Sequence, residues 1–125
     1  MGYIVADIRN YSTKTTLSMS QALFILHAEV CKTLAHPKRL EILTTLGDRE
    51  MAVGDISRKM AIPKANVSQH LALMRNAGIL DTRREGVNIY YRVSNPKVTR
   101  ACGLMREVLL ENHRRRGRVL RLVKG

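Results

Sequence analysis

The sequence predicts a mainly α fold carrying one small β-hairpin, and three observations predict it. Apolar residues recur at three- and four-residue spacing in five separate segments, the period of a helix with one buried face. Proline and glycine stand between those segments, at Pro37, Gly47, Pro63, Gly78 and Pro96, where helices begin or end. One stretch, Thr82 to Val93, loses the helical period and bends at Gly86. A chain of 125 residues with 45% hydrophobic content buries one core and leaves no room for a second domain.

Each element follows from its own residues. Residues 1–16 form a polar arm of Ser, Thr and Asn without a sustained period, and no element is assigned there. Ser18 or Ser20 caps a first helix whose stripe is Leu23, Leu26, Val30 and Leu34. Pro37 opens a second helix lined by Leu40, Leu43 and Leu46, and Gly47 closes it. Asp48-Arg49-Glu50 is a polar turn, after which Val53, Ile56 and Met60 space a short third helix that Ile62-Pro63 breaks. The fourth helix starts near Lys64 and turns Val67, Leu71 and Met74 inward until Gly78. Its opposite face presents Asn66, Ser68, Gln69 and Arg75. Thr82 to Glu85 and Asn88 to Val93 are the two strands, and a long last helix runs from about Pro96 to Arg116. The expected division is an arm at 1–16, a domain at 17–111 and a basic tail at 112–125.

Charge points to the partner. Lys and Arg number 22 against 10 Asp and Glu, and a net +12 attracts polyanions. A short helix, a tight turn, a second helix with a polar face and a basic hairpin make the layout of a winged helix-turn-helix. That fold lays a helix in the DNA major groove and a wing beside it. Gln69 and Asn66 suit two-point contacts with adenine, Ser68 and Lys64 suit phosphates or single base-edge contacts, and His70 suits either. Arg83, Arg84 and Arg92 on the hairpin are placed to reach the minor groove or its flanking phosphates. The competing readings are a solvated helix face for the former set and a charged strand edge for the latter. Tyr90 and Tyr91 alternate faces, so one packs inward.

Other classes find little support. The apolar run Ala22 to Leu26 falls far short of the ~20 residues of a membrane span. Met1 to Lys14 has no continuous apolar core of a secretory signal, so the expected location is cytoplasmic. No enzyme is expected: Ser68 and His70 are two apart on one helix and do not face each other, and no acid completes them. The glycines are isolated rather than clustered as in a phosphate-cradling loop.

Four pieces of the chain carry a family resemblance. His36-Pro37-Lys38-Arg39-Leu40-Glu41-Ile42-Leu43, Val67-Ser68-Gln69-His70-Leu71, Asn76-Ala77-Gly78-Ile79-Leu80, and Arg83-Arg84-Glu85-Gly86 through Ile89-Tyr90-Tyr91 stand in this order. Over about residues 27–111 the sequence resembles the ArsR/SmtB family of winged-helix repressors. The resemblance implies a homodimer built on the first and last helices, which binds an inverted-repeat operator in double-stranded DNA and leaves it when an inducer is sensed.

The sensing residues depart from the family. Where arsenite- or cadmium-binding members carry Cys-x-Cys, this chain has Met51-Ala52-Val53-Gly54-Asp55. Where zinc sensors carry Asp and His pairs on the last helix, it offers Cys102, Glu107, Glu111 and His113. What remains is Cys31 on the first helix and Cys102 on the last, each on an apolar stripe and so expected against packed surface. A thiol pair there is suited to redox or reactive-sulfur sensing. The family's own thiol sensors place the first cysteine later, on the helix that here holds Thr44, so the match is by type and not by position. Alternatives are arsenite or soft-metal binding, with His27 as the extra ligand beside Cys31 and Cys102, and two cysteines that are simply small buried hydrophobes. No cofactor is expected; a metal or metalloid enters only as inducer. From another class, a thiol-independent architectural protein would use the same fold without an operator.

The tail adds electrostatics. His113 to Gly125 holds six Arg or Lys and no acid, half of the net charge. Val119, Leu120, Leu122 and Val123 interleave with those charges, so the segment reads as a DNA-tracking extension or an amphipathic end to the last helix, both favoured over a membrane-surface helix because the rest of the chain already explains a nucleic-acid partner.

Overall fold

A capping box opens the helical part of the chain. The Ser18 hydroxyl accepts from the Gln21 backbone N–H at 3.2 Å, and the Gln21 side chain accepts in return from the Ser18 N–H at 2.9 Å. The structure, a computed structural model, describes residues 2–4 and 16–116, so most of the N-terminal arm and the basic tail past Arg116 lie outside the described residues. Within it, β1 (Gly2–Ile4) pairs antiparallel with β2 (Thr16–Ser18). The helices are α1 (Met19–Leu34), α2 (Pro37–Leu46), α3 (Val53–Met60), α4 (Lys64–Asn76) and α5 (Pro96–Arg116). A three-stranded antiparallel sheet orders β3 (Met51–Ala52), β5 (Asn88–Val93) and β4 (Leu80–Glu85) as β3-β5-β4.

The core gathers one face from each of α2, α3 and α4. Ile42, Leu43, Leu46, Ile56, Val67, Leu71 and Met74 are fully buried, closed at one end by Leu34 and at the other by Ile79 and Leu80. The stripes expected for the third and fourth helices therefore pack as their spacing requires. The hairpin turns in two residues, Gly86 and Val87, between the paired Glu85 and Asn88, and Gly86 supplies the positive φ of 62° such a turn needs.

Three differences from the sequence reading have physical causes. Met51–Ala52, between the expected turn and the third helix, joins the sheet as β3 against Tyr91 and Tyr90, where no strand was expected. Two residues are too few for a period to show. β4 starts at Leu80, two residues early, because Ile79 and Leu80 close the core directly after α4. On α1 only Val30 and Leu34 reach the core, whereas Leu23, Phe24 and Leu26 are more than half exposed. With them stand Leu104, Met105, Val108 and Leu109 of α5, so the first and last helices both leave apolar faces open on the single chain.

The joint between α3 and α4 is tight. Ala61 adopts φ 56°, ψ 44°, and the Ile62 N–H reaches back to the Ser57 carbonyl at 3.2 Å. The Ser57 hydroxyl donates to the Ile62 carbonyl at 2.5 Å, and Pro63 then keeps Ile62 from continuing the helix. A left-handed alanine carries roughly 1 kcal/mol of strain that glycine avoids. Ala61→Gly is accordingly expected to raise stability by up to about 1 kcal/mol, read as a higher urea midpoint with an unchanged slope.

Candidate nucleic-acid interface

Burial of one face of α4 decides what its other face shows. With Val67, Leu71 and Met74 inward, Lys64, Asn66, Ser68, Gln69 and Arg75 are all exposed, and the helix carries no acidic residue. Among the described residues no side-chain hydrogen bond or ion pair engages any of these five, so their donors and acceptors stay available. The outermost row, spaced four, three and four, is Ala65, Gln69, Ala72 and Asn76, all exposed. The two alanines were not singled out in the sequence; their short side chains let the helix backbone approach base edges around Gln69. The 3.6-residue period, phased on Val67 and Leu71, was the signal that could have found them.

Lys64 and Ser68 turn toward the sheet. Together with Val53, Gly54, Asp55 and Arg58 of α3 and Val87 to Tyr91 of the hairpin, they line a groove of ≈ 530 Å³. A Cβ on Gly54 would touch Lys64 Cε at 3.5 Å and Arg58 Nη1 at 3.6 Å, so both cationic stems pass over the start of α3. Arg58 also pairs with Asp55. It is a second cation at this groove that the sequence reading missed, since it resembles an ordinary basic residue in a last helical turn. Val87, 97% exposed, forms the hairpin tip.

The three hairpin arginines have separate surroundings. Arg83 is held by Glu50 at 3.1 Å and Glu85 at 2.7 Å and lies 4.8 Å over the Tyr90 ring. The guanidinium keeps the Glu50 carboxyl below the usual carboxylate range, chiefly through their hydrogen bond, and its own pKa is raised. Arg83 thus ties the wing to the segment before β3. Arg92 is 3.9 Å from Asp81 across the strands. Arg84 is exposed and has no acidic partner among the described residues. Its cross-strand neighbour is Ile89, and on β4 it shares a face with the buried Leu80, so Arg84 emerges on the side of the sheet that packs on the helices while Arg83 points the other way.

His70 leaves the recognition face. It is half-buried, its Nδ1 accepts from Arg39 Nε at 3.2 Å, and its ring lies 4.5 Å from that of His36. Arg39 also donates to the Thr33 carbonyl at 2.8 Å, and the His36 Nδ1 caps α2 by accepting from the Lys38 N–H at 3.1 Å. This cluster fastens α4 to the ends of α1 and α2. Burial first, then the charges of His36 and Arg39, push the His70 pKa down.

The cysteines are set apart from this face. Cys102 is half-buried on α5 and packs on the core, whereas Cys31 is exposed on α1, not against packed surface within one chain. Only the C-terminal end of α1 meets the core, which is why the thiol stays open. Among the described residues no three His, Cys, Asp or Glu side chains come together as a metal site, so His27, Cys31 and Cys102 do not form one within a single chain. No helix among the described residues is long and apolar enough to cross a membrane.

Comparison with known proteins agrees with this geometry. Residues 34–83 match a family model described as a helix-turn-helix domain. The chain is 45% identical over 73 residues to the biofilm growth-associated repressor of Agrobacterium fabrum, covering 58% of this chain and 62% of that one. It thus spans somewhat under two thirds of that repressor. It is 37% identical over 91 residues to an uncharacterised HTH-type transcriptional regulator of Mycobacterium tuberculosis, covering 72% of this chain and 80% of the other. Among solved structures it is similar to a homodimeric winged helix-turn-helix DNA-binding domain from Mycobacterium bovis, described as a possible ArsR-family regulator. There the TM-score is 0.67 at 33% identity, over 74% of this chain and 86% of that fragment.

The lowered His70 pKa has a sign that can be measured. The neutral imidazole's native contacts contribute fully above about pH 6.5, the unfolded value, and are lost as pH falls through the lower folded value. Stability by urea denaturation is expected to fall between about pH 7 and pH 5, and His70→Gln to flatten that fall.

Proposed function

The chain belongs to the ArsR-type winged helix-turn-helix transcriptional regulators, and on that premise we propose that it is a homodimeric repressor of an inverted-repeat operator. The observation that carries this reading is the acid-free outer face of α4 beside a groove bounded by α3 and the hairpin. In that reading Gln69 and Asn66 read base edges in the major groove, with Ala65 and Ala72 permitting close approach. Lys64, Ser68, Arg58 and Arg75 neutralise or hydrogen-bond the phosphates, and Arg84 with Val87 carries the wing toward the minor groove. Arg83 and His70 act as positioning residues, the first setting the wing and the second setting α4. The open apolar faces of α1 and α5 support a dimer through those helices, as does the homodimeric state of the Mycobacterium bovis domain.

The inducer reading rests on the thiols. Cys31 and Cys102 lie on the two helices that would form the dimer contact, and Cys31 is open to reagents in the single chain. Oxidation or sulfur addition at Cys31, Cys102 or both would change helix packing at that contact and with it the spacing of the two recognition helices. The repressor name of the Agrobacterium relative supports a repressor role.

Selection on random DNA supplies the operator for the test. The dimer is expected to prefer an inverted repeat with half-sites about 34 Å apart by ~10³-fold or more over random duplex. Gln69→Ala should relax base preference at one position of each half-site, and Lys64→Ala should weaken all sequences alike and lower the salt slope by about one. Equal losses on specific and random DNA for both variants would refute the assignment of α4. For sensing, oxidant or polysulfide treatment should release the wild type from the operator but not Cys31→Ser or Cys102→Ser. Equal binding by all treated forms would remove the thiols from the mechanism.

A further inference from the structure

A second groove, of ≈ 550 Å³, lies between α2, α3 and α5, and it shares no residue with the groove beside α4. Three cations converge on it from three places: Arg49 from the turn after α2, Lys59 from α3 and Arg106 from α5. None has an acidic partner among the described residues. The one acid at the rim, Glu41, is already paired with Lys38 at 3.1 Å. Such a concentration of unpaired positive charge in a concave site raises the local level of anions.

Two of the cations are held in place. The Arg106 Nη1 donates to the Thr44 hydroxyl, and the Arg49 Nη2 donates to the Thr45 carbonyl at 2.7 Å. Each guanidinium has five N–H donors and spends one here, so the paired donors that fit a carboxylate or phosphate remain. Leu40 and Met60 supply apolar wall beside them. A bare ion would use the charge and leave that wall wet.

We propose that this groove binds a small molecule bearing a carboxylate or phosphate on an apolar body, the oxyanion on Arg106, Arg49 and Lys59 and the body on Leu40 and Met60. Its occupant bridges α5 to α2 and α3, and α3 leads directly into α4, so binding fastens the last helix to the helix-turn-helix unit. The site stands apart from the thiol reading and does not depend on it.

The test is titration of the full chain followed by amide NMR, with benzoate, phenyl phosphate, inorganic phosphate and benzamide as probes. Benzoate or phenyl phosphate is expected to give saturable shifts at Thr44, Thr45 and Arg106. Binding of that probe should be at least about tenfold tighter than inorganic phosphate, with no saturation by benzamide. Arg106→Gln and Arg49→Gln should each weaken binding about tenfold or more at unchanged melting temperature and operator affinity. No saturable shift from any probe at about 10 mM overturns the proposal, as does equal binding of all anions, which is unspecific ion attraction. Loss of operator affinity and salt slope in the two variants also overturns it, by making the groove a DNA phosphate contact.

Discussion

The burial of Val67, Leu71 and Met74 against Leu46, Ile56 and Leu80 is the constraint on which the rest depends. These side chains are fully removed from water, each worth roughly 1.5–3 kcal/mol relative to exposure, and they lock the rotation of α4 about its own axis. A helix turned by one residue would bury Ser68 and expose Leu71. Rotation so fixed, the outward row is fixed too, and the same packing that holds the fold together aims Gln69 at whatever lies outside it. The Ala61 turn and the Arg39–His70 contact hold the two ends of that aim, one at the entry to α4 and one along its flank.

Charge is sorted by a similar economy of position. Of the three hairpin arginines, one is tied by carboxylates to the body, one faces a carboxylate across the strands, and Arg84 is left without an acidic partner among the described residues. Net charge therefore overstates how much of the basic surface is available to phosphate. What matters to a polyanion is the cation that no carboxylate has claimed, and among the described residues such cations include Lys64 and Arg75 of α4 and the group Arg49, Lys59 and Arg106 over α2, α3 and α5.

Much of this was legible in the sequence because helices declare themselves by period. The stripes Val53-Ile56-Met60 and Val67-Leu71-Met74, with Pro63 and Gly78 as punctuation, located the helix-turn-helix and so the exposed Lys64, Asn66, Ser68, Gln69 and Arg75. Three features were not legible. β3 is too short to have a period, and its pairing is with residues some forty positions away. Arg83 and Arg84 are adjacent and chemically identical; alternation puts them on opposite faces, and only strand register shows which one meets Tyr90 and which one meets Ile89. His70 lies between the buried and exposed arcs of α4, where a helical wheel is ambiguous and a long-range partner, Arg39, settles the matter. The exposure of Cys31 was hidden for a related reason: an apolar stripe tells that a face is to be covered, and not by which chain.

The two-residue turn at Gly86 and Val87 has a consequence for how such a chain varies. Because side chains alternate along a strand and so short a turn leaves no slack, the parity of the count from the buried Leu80 decides which arginine shares the core side of the sheet and which meets Glu50. Exchanging one side chain for another at the hairpin alters a single contact, whereas gaining or losing one residue of β4 between Leu80 and Arg83 swaps the two arginines wholesale. The wing is thus permissive toward replacement and intolerant of length, and divergence among descendants of this chain would be carried there by substitutions or by even-numbered insertions.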